Sequence, residues 1–290
     1  MKYKFIDGHR SKFEVGKMCR ALRVSRSGYY AWRKKPVSKR EKENGQLVEE
    51  IREIHEGSRY TYGSPRVHAE LWERGYFIGH NRVARLMREN RIRAKMKKKF
   101  KITTHSKHRF PVAENLLRGD IKIKRPNQVW VSDITYIRSA EGWLYLCIIM
   151  DLYSRSIVGW SMEERLTKEL VLKSLERACL RRTVERGIIF HSDRGSQYAS
   201  NDFRALITGK GFIASMSGKG NCYDNAHAES FFHTIKTEEV YGNTYRTRQE
   251  AKLSIFEYIE VFYNRVRKHS QLGYLSPYQF EVQKELHKVA

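Results

Sequence analysis

Apolar residues in this chain change their rhythm near its middle. In the first third they recur at helical spacing: Val15, Met18, Cys19 and Leu22; Leu47, Ile51 and Ile54; Val67, Leu71 and Trp72; and Val83, Leu86 and Met87. The pattern predicts a helix, a turn and a second helix over 14–34, with Ser25 as cap, then three short amphipathic helices parted at TYGSP and GYFIG. From about residue 127 the period shortens toward two and β-branched and aromatic residues gather. Strands are predicted over 129–137, 143–150, 156–162, 188–192 and 212–216, with helices near 167–182 and 202–208 and another around Glu229. A last helix over 249–268 leads into LSPYQF, a tail expected to pack on the core. The order β-β-β-α-β-α-β-α supports by itself a mixed α/β domain. It divides the chain into a helix-turn-helix remnant at 1–40, a helical module at 41–90, a connector at 91–124 and an α/β core at 125–290.

Charge sharpens that division. Of the net +24, residues 1–126 carry 34 Lys and Arg against 13 Asp and Glu, or +21, whereas residues 127–290 carry 22 against 19, or +3. A basic first part with helical signals is what holding DNA phosphates requires, and a nearly neutral remainder suits a self-contained catalytic core. Arg82 and Arg85 line the polar face of the helix near residue 85, and 91–109 holds nine basic residues, Lys97, Lys98 and Lys99 among them, with no acid. That run repels itself and stays extended until it meets a polyanion. The charged start, MKYKFIDGHRSKF, has no apolar core of a signal peptide, and no apolar run approaches the roughly 18 residues of a membrane span, so a cytoplasmic protein is expected. Four scattered cysteines without a C-x-x-C pair fit a reducing compartment and argue against structural zinc.

Three acids then stand out. Asp133 lies in the first predicted strand, Asp193 just past the short run Ile188, Ile189, Phe190, and Glu229 on a helix where His233 and Lys236 follow at i+4 and i+7 on one face. Phe231, Phe232 and Ile235 point mostly elsewhere and pack inward, while Asp224 or Asn225 caps the helix and Lys219 sits between two glycines before it. Asp151, with Arg155 four residues on, reads as a turn-forming or paired aspartate. His191 stands open between a role beside the site and one in the core.

The separations, 193 − 133 = 60 and 229 − 193 = 36, leave 35 residues between the second Asp and the Glu. This arrangement resembles the DDE signature of retroviral integrases and insertion-sequence transposases. HSDRGSQY around Asp193, DNAHAES around Glu229, Lys236, and YNRVRKHSQLGYLSPYQF over 263–280 are similar to the second-reading-frame (OrfB) transposases of the IS-three family, along nearly the whole chain. The resemblance implies a ribonuclease-H-like catalytic core preceded by helix-turn-helix modules. It also implies Asp133, Asp193 and Glu229 as catalytic residues and ligands of two Mg²⁺ (or Mn²⁺) ions, Asp133 bridging the pair and the others binding one each. Hard oxygen ligands suit such ions. Water would free a 3′-hydroxyl at a transposon end, and that hydroxyl would attack target DNA. Lys236 matches the family's DNA-contacting lysine. The partners implied are terminal repeats, target DNA, further copies of the chain, and an upstream-frame protein or a fusion to it. The His/Cys zinc module of retroviral integrases is missing from the sequence. A nuclease that only hydrolyses and a DNA-binding regulator on a spent catalytic scaffold are the rival readings, and the three intact acids weigh against the second.

Overall fold

A computed structural model describes residues 1–34, 38–95, 113–117, 121–218 and 226–289, with the backbone alone over 287–289. Lys97, Lys98, Lys99, Lys219, Asp224 and Asn225 lie outside the described residues. The chain divides into two compact units, 1–52 and 53–290.

In the first unit, α1 (Lys2–His9), α2 (Val15–Ala21) and α3 (Arg26–Lys34) close on Ile6, Met18, Cys19 and Tyr29. Ser25 Oγ accepts the Gly28 N–H at 2.8 Å, the cap the sequence predicts. α1 was not foreseen. Its lone buried residue is Ile6, so no periodic apolar stripe marks it. Tyr29 and Trp32 fill this small core and Tyr30 stays at the surface, with Arg26 Cζ 5.8 Å from its ring centroid.

α4 (Lys39–Gly57) runs across the division, followed by α5 (Ser64–Glu73) and α6 (His80–Glu89). Val67, Leu71, Val83, Leu86 and Met87 are buried as expected, but Trp72 is not. Its indole N–H donates to the Ile78 carbonyl at 3.2 Å and its ring meets Phe77 at 5.3 Å, so it covers the turn. Within the second unit this segment is seated on the core. Tyr62 Oη donates to the Val266 carbonyl and accepts the Lys268 N–H, Arg59 donates to Glu239, and Lys268 Nζ meets Glu73 at 2.5 Å.

The core is built on β1 (Val129–Ser139), β2 (Gly142–Asp151), β3 (Ile157–Glu163), β4 (Ile189–Ser192) and β5 (Ile213–Met216), in the order β3-β2-β1-β4-β5. The first three strands form an antiparallel meander, and β4 and β5 join β1 in parallel. Strand alternation assigns the faces. Trp130, Ile134, Cys147, Ile149 and Val158 pack with residues of α7 (Lys168–Arg181) and α8 (Asn201–Gly209). The intervening Val131, Ile137, Leu144, Leu146 and Ile148 are also buried, where α9 (Ala226–Ile235) and α10 (Arg248–Glu257) lie against the meander. Gly159 lets α7 approach β3: a Cβ there would stand 2.4 Å from the Ser174 carbonyl oxygen.

Two helices depart from the expected course. α9 passes into a π-helical turn at Lys236–Val240, and α10 passes into another at Tyr258–Tyr263. The wider turn brings Tyr258, Ile259, Phe262 and Tyr263 inside together, so the predicted helix over 249–268 ends early. LSPYQF does more than pack. Ser276 and Gln279 cap one another reciprocally at 2.9 and 3.3 Å, Pro277 takes the first helical position, and α11 (Pro277–Val289) follows.

Candidate active site

Two aspartates stand side by side where the parallel pairing of β1 with β4 stops, Asp133 in the middle of β1 and Asp193 just past β4. β1 and β4 run parallel with Ser132 opposite Ser192, so the next residue along each path is an acid, Asp133 on one and Asp193 on the other. Apolar side chains bury the strands up to that point, and β4 stops where Asp193 Oδ1 turns back to accept the Gly195 N–H at 2.9 Å. Gly195 has no spare room, since a Cβ there would lie 3.0 Å from that same oxygen. Both aspartates are half-buried. The third acid, Glu229, is exposed in the first turn of α9, whose Phe231, Phe232 and Ile235 are buried as predicted.

The charges of Asp193 and Glu229 both act on Asp133. Burial pushes the Asp133 pKa well above the ordinary carboxylate value, the Asp193 and Glu229 charges push it further, and the Ile134 N–H and Lys236 ammonium oppose them. The Ile134 N–H donates to Asp133 Oδ1 at 2.7 Å. What burial Glu229 has raises its pKa as well. Among the described residues, no group of three His, Cys, Asp or Glu side chains is gathered closely enough to hold a metal ion. Asp133 and Asp193 are brought to adjacent positions on β1 and just past β4, and the Glu229 charge reaches Asp133.

Beneath the aspartates lies a buried hydroxyl relay that no local sequence pattern marks. Ser132 Oγ donates to the Ile148 carbonyl at 2.8 Å, so the Tyr198 hydroxyl, 2.8 Å away, supplies the proton between the two side chains. Burial raises the Tyr198 phenol well above its ordinary pKa, and Cys147, Asp193 and Asp133 add to the shift. Tyr198 therefore stays protonated as a fixed donor under the site.

Lys236 departs from its expected setting. The π turn draws it inward to 7 % exposure, with Nζ 4.8 Å from the Tyr136 ring centroid, rather than leaving it on an open face with Glu229. Burial lowers its pKa and the Asp133 charge counters that shift. His191 resolves as a core histidine, held between Ser215 Oγ at 2.9 Å and Ser217 Oγ at 3.1 Å. Asp151 caps backbone, accepting the Asn127 and Tyr153 N–H groups at 2.8 and 3.0 Å. Asn264 and Arg267 brace the core: Asn264 pairs with both backbone groups of Ile157, and Arg267 grips Glu238 through two nitrogens at 2.8 and 2.7 Å. Glu238 was not singled out in the sequence, because its partner lies 29 residues away and no local pattern joins them.

A sheet of this order, with one acid within the central strand β1, a second just past the adjacent β4 and a third on a helix lying against β1, defines a ribonuclease-H-like core of the integrase class. Residues 123–222 and 229–284 match two integrase core domain families, and residues 42–100 match an HTH-like domain. Transposase InsF of insertion sequence IS3A from Escherichia coli K12 is 44% identical over 283 residues, covering 97% of this chain and 98% of that protein. A 31 kDa protein of insertion element IS600 from Shigella sonnei is 48% identical over 263 residues, covering 91% and 97%. Among solved structures, the simian T-cell lymphotropic virus intasome in complex with PP2A regulatory subunit B56 gamma aligns at a TM-score of 0.46 with 15% identity, over 80% of this chain and 74% of that one. The catalytic core domain of BIV integrase aligns at 0.41 with 16% identity, over 57% and 99%. The chain belongs to the family of insertion-sequence transposases that includes InsF of IS3.

Proposed function

We propose that Asp133, Asp193 and Glu229 are the catalytic acids with which this transposase cuts transposon ends and joins them to target DNA, holding two Mg²⁺ (or Mn²⁺) ions. The observation that carries this reading is the pair of aspartates that follow the last register pair of parallel β1 and β4, with Glu229 acting on Asp133 through its charge. The donor chemistry fits: burial and then the Asp193 and Glu229 charges raise Asp133, and a divalent cation held by these hard carboxylates relieves that cost. Such ions, when bound, polarise a scissile phosphate and its attacking oxygen. Asp193 is oriented by the Gly195 N–H, and the Ser132–Tyr198 relay braces β1 below Asp133. Glu229, exposed in the first turn of α9, supplies the third carboxylate.

Lys236, buried beside Asp133, serves the scissile phosphate rather than the outer DNA backbone. Arg82 and Arg85 on α6, the connector lysines Lys97, Lys98 and Lys99, and Lys219 hold DNA phosphates. Two transposon ends are held at once by at least two copies of the chain, with an upstream-frame protein or fusion adding end recognition. The setting is the bacterial nucleoid. No helix among the described residues is long and apolar enough to cross a membrane.

The test is incubation with Mg²⁺ and DNA bearing the flanking terminal repeats, read for joined products. Asp193→Asn should abolish joining and spare DNA binding, because it removes one ligand charge at a turn that an Asn also forms. Joining that survives the substitution overturns the assignment, and cutting without joining reduces the reading to a hydrolase.

A further inference from the structure

Three segments carry unneutralised positive charge to one place. The Asn264 side chain bonds both backbone groups of Ile157, at 2.9 and 3.0 Å, and so holds the β2–β3 turn containing Arg155 against Tyr263. The Tyr62 hydroxyl, bonded to the Val266 carbonyl at 3.1 Å and the Lys268 N–H at 2.7 Å, holds the start of α5 against that same stretch. Arg66 lies over the Tyr62 ring, with Cζ 5.7 Å from its centroid. Between the two ties, Arg267 Nη1 donates to His269 Nε2 at 3.4 Å, and the His269 ring meets Tyr263 edge-on at 4.9 Å.

One carboxylate, Glu238, serves this group, and Arg267 already holds both of its oxygens. Arg66 and Arg155 are half-buried, and among the described residues neither guanidinium has a hydrogen-bond acceptor or an ion-pair partner. Arg155 also takes a left-handed backbone conformation, φ +63°, a strained one for a non-glycine residue. The electrostatics agree with the geometry. Burial lowers the Arg66 and Arg155 pKa values, and burial with the Arg267, Arg66 and Arg155 charges drives His269 down to about 2. A half-buried cation without a counter-charge is costly, and guanidinium forks match phosphate oxygens in shape and charge.

The geometry points to a second DNA contact: Arg66 and Arg155, backed by Arg267 and His269, bind a backbone phosphate other than the scissile one. This rests on the reading that the chain holds DNA, and it ties the HTH-like segment and the catalytic core to one strand. No joining chemistry is needed to test it.

The experiment uses the full chain, with fluorescence anisotropy on a duplex carrying the terminal repeat and on an unrelated duplex between 50 and 200 mM salt. Arg66→Gln and Arg155→Gln should each reduce the salt slope by about 0.9, so that wild type loses about threefold more affinity than either variant across that range, equally on both duplexes. Arg155→Lys, which keeps the charge, should keep the slope. Thermal unfolding without DNA should show no loss of Tm in the Gln variants, because a repulsive charge has gone. Unchanged slopes with a lowered Tm make the cluster structural and overturn the proposal. Unchanged slopes, with inorganic phosphate raising the Tm of wild type but not of the double variant, assign the site to free phosphate and overturn the DNA contact. Failure of the joining assay with these slope changes intact would sink the catalytic reading and leave this one standing.

Discussion

Asp151 shows how one aspartate among several is kept from chemistry. It is fully buried at the end of β2, and both of its oxygens accept backbone N–H groups, so it staples the β2–β3 turn to the residues before β1. Burial raises its pKa to about 6 against the opposing hydrogen bonds. Because the folded value lies above the ordinary one of about 3.9, the folded state holds this proton more tightly. Its contribution to stability is complete below about pH 4 and is lost as pH rises through 6, on the order of 2–3 kcal/mol. In urea unfolding from pH 4 to 7, wild type should therefore lose stability relative to Asp151→Asn across that window. A pH-independent difference between the two would refute the assignment.

At the scale of elements, the closeness of α7 to β3 is set by Gly159. A Cβ there would meet the Ser174 carbonyl oxygen at 2.4 Å and Ala178 Cβ at 2.6 Å, atoms of a helix with no slack. Gly159→Ala should destabilise the core by about 1–3 kcal/mol, a fall in Tm of roughly 2–4 °C for each kcal/mol in a domain of this size. Unaltered thermal unfolding would show that α7 can move away. The two π turns belong to this scale as well. The first buries Lys236, Thr237, Glu238 and Glu239 in a row, an arrangement that a regular helix, with its polar positions 100° apart, would have turned partly to solvent. Glu238 and Glu239 then find Arg267 and Arg59, so the turn is held by ion pairs that bind α9 to the rest of the second unit.

For the whole molecule the governing quantity is the uneven charge, +21 in the first 126 residues against +3 in the rest. DNA binding should weaken steeply with salt and across all sequences alike. Replacing Lys97, Lys98 and Lys99 together by Gln should reduce the slope of log affinity against log salt by up to about 3, measured by anisotropy, with the same loss on unrelated duplexes. A loss confined to the terminal repeat would instead make this run a reader of sequence.

Much of this was legible beforehand. The five strands and the helices α7, α8 and α9 follow from periods of two and 3.6, and Phe231, Phe232 and Ile235 point inward as their spacing predicts. α11 was legible in principle, through the Ser276 and Gln279 capping pair, but LSPYQF read as a tail. α1 was not, since one buried residue makes no stripe.

By itself the sequence determined the five strands and most of the helices, where the positive charge lies, and which acids lie on or just past strands, because propensity, period and turn chemistry act over a few residues. Only the tertiary structure decided that Ser132 faces Ser192, that Lys236 is drawn inside, and that Arg66 and Arg155 meet around Arg267 and His269. Those outcomes depend on strand register, on π turns that shift helical phase, and on buried charges finding partners tens to hundreds of residues away. No local pattern encodes such pairings. They are fixed by the energy of closing the core around them.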